Sequence, residues 1–182
     1  MPKINAKKEQ LTFKSEPARF ADSADANEPK RFSGVAYSGG VVSDHWYWGR
    51  VVFDLSSMSV STPLAALQDH DTRKRVGVIE SFSIASALAI EGKMLTNAIA
   101  KEVQNDAIDG FPWQMSVYIV PSLIEEHHAP VAINNQLFEA SKDNPLIVFK
   151  NSKIREVSFC SLGADSSTSA TVFNDSQEFN FE

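Results

Sequence analysis

The chain has 182 residues, 43% of them hydrophobic and 22% charged, enough to bury one sizeable core, and its length argues for a single domain. With 17 Lys+Arg against 23 Asp+Glu, the net charge of −6 gives no electrostatic footprint for nucleic acid or an anionic lipid surface; a basic partner or a neutral peptide fits better. No apolar run approaches the roughly 18 to 20 residues of a membrane span, the start MPKINAKKEQ lacks the apolar stretch of a secretory signal, and the single Cys160 cannot form an internal disulfide, so a soluble cytosolic protein is expected.

In chain order, KKEQLTFKSE at 7–16 fits a short first strand. The stretch 15–31, rich in Ala, Asp, Pro and Ser and without periodicity, reads as a mobile loop. FSGVAYSGGVV and GRVVFDLSSMSV are short β-branched and aromatic runs punctuated by glycine, the pattern of antiparallel strands. Pro63 and the leucines of TPLAALQDHD predict one helical turn after Thr62. RVGVIESFSIASALAIEGKML reads as two strands with EGK at 91–93 as the tight turn, Gly92 supplying positive φ.

Residues 97–109 form the clearest helix, with an apolar stripe through Ile99, Ala100, Val103, Ala107 and Ile108. Thr96 or Asn97 can cap its start, and Gly110 with Pro112 can stop it. The next strand places Met115, Val117 and Ile119 on one face and Gln114, Ser116 and Tyr118 on the other. Residues 121–152 combine a loop, a short helix near 135–142 and a strand at 146–150. In IREVSFCSL, Glu156 and Ser158 share a face opposite Val157 and Phe159, and the acidic tail 173–182 is expected to fray.

The four histidines limit any imidazole chemistry. His70, between Asp69 and Asp71 just before a turn, can be held firmly yet stay reachable, whereas His45 belongs to an aromatic loop and reads as a packing residue. His127 and His128 follow two glutamates, but neighbours on a strand point apart and nothing completes a tetrahedral site, so no metal and no cofactor are expected. Trp46, Tyr47 and Trp48 can grip a peptide or close one end of a barrel. Ser116 is an ordinary strand hydroxyl unless an imidazole removes its proton and a third group steadies that imidazole. It sits in neither a G-x-S-x-G elbow nor a Ser-x-x-Lys pair, so spacing alone leaves only a set of candidate partners. Cys160, in an apolar strand, reads as a buried structural thiol rather than a nucleophile.

The ordered set FSGVAYSGG, LQDHD with a following VG, EGKML, DGFPWQMSV after a helix, and IREVSFCSLGADSSTSA resembles the caudovirus prohead proteases, the capsid-maturation enzymes of tailed phages, over residues 9–172. The resemblance implies His70 as general base, Ser116 as nucleophile and Glu156 as orienting residue, with Asp71 the alternative orienter and Arg155 a weak candidate for oxyanion support. Because that family is similar in fold to herpesvirus assembly proteases, it also implies a mainly β, α+β architecture: an antiparallel, closed or nearly closed β-barrel surrounded by short helices. One protease domain over 1–182 would act on scaffold and major capsid proteins and on itself, in the bacterial host cytoplasm inside the procapsid, as a homodimer or a monomer. Where many relatives have Ser-x-Gly, Tyr118 stands two residues after Ser116. The other reading is a non-catalytic capsid-assembly or scaffolding module that keeps the fold.

Overall fold

The computed structural model describes residues 30–174, where the β-branched and aromatic runs form thirteen strands and one α-helix. One curled sheet of seven strands runs in the order β13 (Ser169–Asn174), β1 (Lys30–Tyr37), β6 (Leu88–Met94), β5 (Asp71–Ile84), β4 (Leu64–Gln68), β12 (Lys153–Cys160), β7 (Gln114–Val120). A second sheet runs β2 (Val42–His45), β3 (Gly49–Phe53), β11 (Leu146–Lys150), β8 (Leu123–His127), and β9 (Val131–Ile133) pairs with β10 (Gln136–Phe138). β4 with β12 and β3 with β11 are parallel; the other ladders are antiparallel.

The core lies inside the curl, where Phe32, Tyr37, Ile79, Met115, Val157 and Phe159 pack against Val51, Phe53 and Phe149 of the second sheet. Period-two alternation sends Val52, Leu146 and Val148 to the other side of that sheet, where Phe138 of the β9–β10 hairpin covers them. Thus β3 and β11 are buried on both faces, which is why they read as unbroken apolar runs. The helix α1 (Ala98–Ile108) starts at Asn97, whose side chain accepts from Ala100 N at 2.9 Å, and ends before Gly110 at φ 88. It buries Ala100 and Val103 but leaves Ile108 exposed, so the predicted stripe is one residue too wide.

Several sequence expectations are corrected. The turn after Thr62 is strand β4, whose Ala66 and Leu67 are buried between β5 and β12. The hairpin turn falls at 85–87, and EGK lies inside β6. Gly92 serves close packing there: a Cβ would stand 2.2 Å from Val78 O and 2.7 Å from Phe32 Cζ. The helix near 135–142 is replaced by the β9–β10 hairpin, whose turn residues Asn134 and Asn135 adopt φ of 52 and 60. The part of 121–152 that precedes that hairpin, expected as loop, contains β8. Lys30 and Arg31 of the expected loop, and Phe173 and Asn174 of the expected tail, pair with one another as β1 and β13. The strand expected at 7–16 lies outside the described residues. The sheet curls into a half-barrel: no ladder joins β13 to β7 among the described residues, although Ala170 N of β13 donates to Trp113 O, just before β7, at 3.1 Å. Among the described residues one α-helix and a 3-10 turn at Leu55–Ser57 stand where several short helices were expected. No helix among the described residues is long and apolar enough to cross a membrane.

Candidate active site

Two local irregularities bring His70 and Glu156 together. Ile154 belongs to the core, and plain alternation would send Glu156 inward with it. The ladder to β7 instead slips between Ile154, opposite Ile119, and Glu156, opposite Tyr118, leaving Arg155 as the extra, bulged residue. Beyond the bulge Val157 and Phe159 take the core side, and Glu156, Ser158 and Cys160 share the outer face. On the adjoining β4–β5 hairpin, Asp69 and His70 are the two turn residues, with φ of 51 and 57. Left-handed backbone at residues other than glycine is strained by about 1 to 3 kcal/mol each, tolerated where surrounding bonds fix it. Here Asp69 N donates to Phe159 O at 3.0 Å and His70 N donates to Ser158 Oγ at 3.1 Å.

The turn therefore hangs His70 over the outer face of β12. Its Nδ1 donates to Glu156 Oε1 at 2.5 Å, and Ser158 Oγ donates to Glu156 Oε2 at 2.7 Å. Glu156 and Ser158 are buried while the His70 side chain is 41% exposed, so the pair is anchored below and open above. The imidazole is pushed up to about 10, first by the Cys160 side chain and then by Glu156, with partial burial opposing. The Cys160 sulfur forms no hydrogen bond of ordinary geometry with the ring and Glu156 does, so the carboxylate secures the direction. A ring held this way at Nδ1 presents Nε2 as the nitrogen free to exchange a proton.

Ser116 is half-buried on β7, directly across the ladder from Ser158, on the face of Gln114 and Tyr118. Cross-strand neighbours of this kind have Cβ atoms about 5 Å apart, yet Ser116 makes no direct hydrogen bond to His70 among the described residues. A loop after β12, residues 161–168, is tied down on both sides of Ser116's neighbours. Gly163 N donates to Gln114 Oε1 at 2.6 Å, Gln114 Nε2 donates to Ser166 O at 3.3 Å, and Met115 N donates to Thr168 Oγ1 at 3.1 Å. Ala164 of that loop and Ser116 line the same cavity.

The remaining candidates lie elsewhere. Asp71 turns away from His70: its carboxylate accepts from Arg73 Nε and Nη2, each at 2.9 Å, and this guanidinium lowers it to about 2. Arg155, the bulged residue, is exposed. His45 Nδ1 accepts from Tyr47 N at 3.3 Å and Trp48 N at 3.2 Å, which makes it the brace of the β2–β3 turn. His127 and His128 pair separately with Glu125 and Glu126, and no group of metal-ligating side chains occurs among the described residues. Cys160 is buried. Sequence reasoning gave Ser158 no part; the signal was present in the Glu-x-Ser spacing, which puts its hydroxyl beside the carboxylate.

No protein-family model and no curated protein matches the chain. Among solved structures, it is similar to the protease of Kaposi's sarcoma-associated herpesvirus in complex with a hexapeptide phosphonate inhibitor, at 14% identity and a TM-score of 0.48, over 81% of this chain and 66% of that one. The same viral protease in complex with a dimer disruptor is similar at 14% identity and a TM-score of 0.49, over 81% of this chain and 77% of that one.

Proposed function

We propose that the protein is a serine endopeptidase that cleaves scaffold and major capsid proteins, and itself, during tailed-phage prohead maturation inside the assembling procapsid. The observation that carries the reading is the His70 imidazole, held at Nδ1 by Glu156 Oε1 at 2.5 Å beside the strand that bears Ser116. The substrate class comes from the sequence motifs that resemble the prohead proteases. In the reaction Ser116 Oγ bonds to the scissile carbonyl carbon while His70 Nε2 takes its proton. Collapse of the tetrahedral adduct breaks the C–N bond, and the imidazolium returns the proton to the leaving amine. Water then repeats the cycle on the acyl-enzyme. Glu156 keeps Nδ1–H directed and stabilises the cation formed, and main-chain N–H groups of the 161–168 loop, whose Ala164 lines the same cavity as Ser116, would receive the oxyanion. Because His70 is raised to about 10, base catalysis should grow as pH rises through the alkaline range.

The test is to express the protein with its cognate capsid and scaffold proteins, as wild type and as Ser116→Ala. Wild type should give shortened products, and the alanine variant should lose most of a roughly 10⁶-fold acceleration while keeping its melting temperature. One observation favours a second reading, a non-catalytic assembly module: the absence of a Ser116–His70 hydrogen bond. Identical bands from both proteins would establish that reading instead. Catalytic hydrogen bonds in resting enzymes are often long and tighten on substrate binding, so the peptidase reading stands first.

A further inference from the structure

We infer that the cavity beside Ser116 is a specificity pocket that takes one bulky apolar side chain of an extended peptide carrying a basic residue next to it. This names the substrate class of the site above and rests on the peptidase reading. The cavity measures about 330 Å³ and lies between β7 and the second sheet. That is near the lower end of ligand sites, which span about 300 to 1,000 Å³, so it suits a single large side chain rather than a folded partner.

Its floor is aromatic and chemically closed. Tyr37 and Phe53 meet at 4.7 Å between ring centroids, and Phe53 stacks on Phe149 at 5.8 Å and 22°. The Tyr37 hydroxyl is already used, donating to Gly40 O at 2.5 Å and accepting from Phe53 N at 3.0 Å. An amide or charged side chain entering there would lose water and find no partner, which costs a few kcal/mol; a Leu, Met or Phe side chain would lose nothing. The rim has the opposite character. Asp44 is exposed and makes no hydrogen bond or ion pair among the described residues; Asp165, also in the lining, already accepts from Ser38 N at 2.7 Å and Ser167 N at 3.0 Å, and no lysine or arginine lines the cavity. A cationic residue flanking the apolar one complements that rim.

The wall explains why the peptide must be extended. Among the described residues β7 is an edge strand, and Met115 N points away from β12, toward Thr168 Oγ1. By two-residue alternation the N–H groups of Val117 and Ile119 point the same way, toward the cavity, where no described strand pairs with them. A peptide strand laid along this edge would place alternate side chains over the floor.

The test separates binding from cleavage. Ten-residue synthetic peptides with Leu-Lys, Leu-Glu, Ala-Lys or Ala-Glu at the centre are titrated into the full-length Ser116→Ala protein, with tryptophan fluorescence reporting through Trp46 at the rim. The Leu-Lys peptide should bind at least ten-fold tighter than Ala-Glu. Asp44→Lys should reduce the advantage of Lys over Glu by at least five-fold and leave the advantage of Leu over Ala intact. Ile119→Trp, which fills the cavity, should erase the Leu advantage; if that variant does not fold, the Asp44→Lys series decides alone. Equal affinities across the four peptides, or no binding of any, would overturn the pocket. Incubating the same peptides with wild type tests the peptidase reading separately: cleavage without discrimination removes only the pocket, and discrimination without cleavage removes only the peptidase.

Discussion

Glu156→Gln keeps the shape of the side chain while removing the charge that faces His70, and its consequences can be worked out from the site. The carboxylate is buried and touches Nδ1 at 2.5 Å, but the imidazole is 41% exposed, so solvent screens part of the interaction. After that discount the pair contributes about 1 to 2 kcal/mol to stability, below the several kcal/mol typical of a fully buried partner. The sign follows from the direction of the shift. His70 is raised from 6.5 to about 10 in the folded protein, so its contribution is fully present below pH 6.5 and disappears as pH rises through about 10. Thermal melts at pH 6 should therefore separate wild type from Glu156→Gln by a few degrees, and the gap should close above pH 10. In activity, the variant should lose about 10²- to 10³-fold in turnover, because an unsupported imidazole adopts the wrong tautomer and its cation lacks a counterion. The acid limb of kcat/KM, measured on a peptide substrate, should lie well above 6.5 in wild type and move downward in the variant. Cys160→Ala is the control for the sulfur that stands first among the causes of the shift. A wild-type limb at or below 6.5, or a limb that moves in Cys160→Ala and not in Glu156→Gln, would refute the assignment of Glu156 as orienter.

Ser158→Ala leaves His70 N–H and Glu156 Oε2 without their shared partner in a fully buried position, so it should cost about 1 to 3 kcal/mol in chemical denaturation and slow peptide cleavage roughly ten-fold. An unchanged rate would mean that the turn holds His70 without it. Asp71→Asn should alter cleavage less than two-fold, since that carboxylate serves Arg73; a loss as deep as that of Glu156→Gln would transfer the orienting role. Gly92→Ala introduces a Cβ 2.2 Å from Val78 O, a backbone atom that cannot swing aside, and should destabilise by about 3 kcal/mol or more. An unaltered melting temperature would show that the β5–β6 ladder gives way more easily than its packing implies.

What the sequence disclosed follows from how local each signal is. The α1 cap at Asn97 and stop at Gly110 depend on neighbours within one turn, and they were legible. The alternation of β7 and the placing of Val157 and Phe159 on the face opposite Glu156 and Ser158 were legible for the same reason. The errors fall where tertiary pairing overrides a local cue. Pro63 with two leucines suggests a helical start, but Ala66 and Leu67 gain more from burial between β5 and β12 than a short isolated turn could offer. Gly92 looks like a turn residue because glycine permits positive φ, yet its role is to let Phe32 cross β6, a contact sixty residues away in sequence. The Arg155 bulge has no signature in composition, so sequence could place Glu156 and Ser158 on one face but could not show why that face is not the core.

The same bulge bears on how a charged group comes to sit on an otherwise apolar strand. Ile154, Val157 and Phe159 must all reach the core, and their spacing of three and then two fits no single strand phase. One extra residue at Arg155 reconciles them, and it delivers Glu156 to the outer face immediately below the Asp69–His70 turn. Packing and chemistry are thereby coupled. Deleting Arg155 would bring Ile154 and Val157 two residues apart, into one strand phase, and should restore a regular ladder with Ile154 inside and Glu156 still outside, so the His70 contact should survive it, and Arg155→Ala should keep the bulge, the fold and the activity. Loss of cleavage in Arg155→Ala, with its melting temperature unchanged, would show instead that the guanidinium itself acts in the reaction.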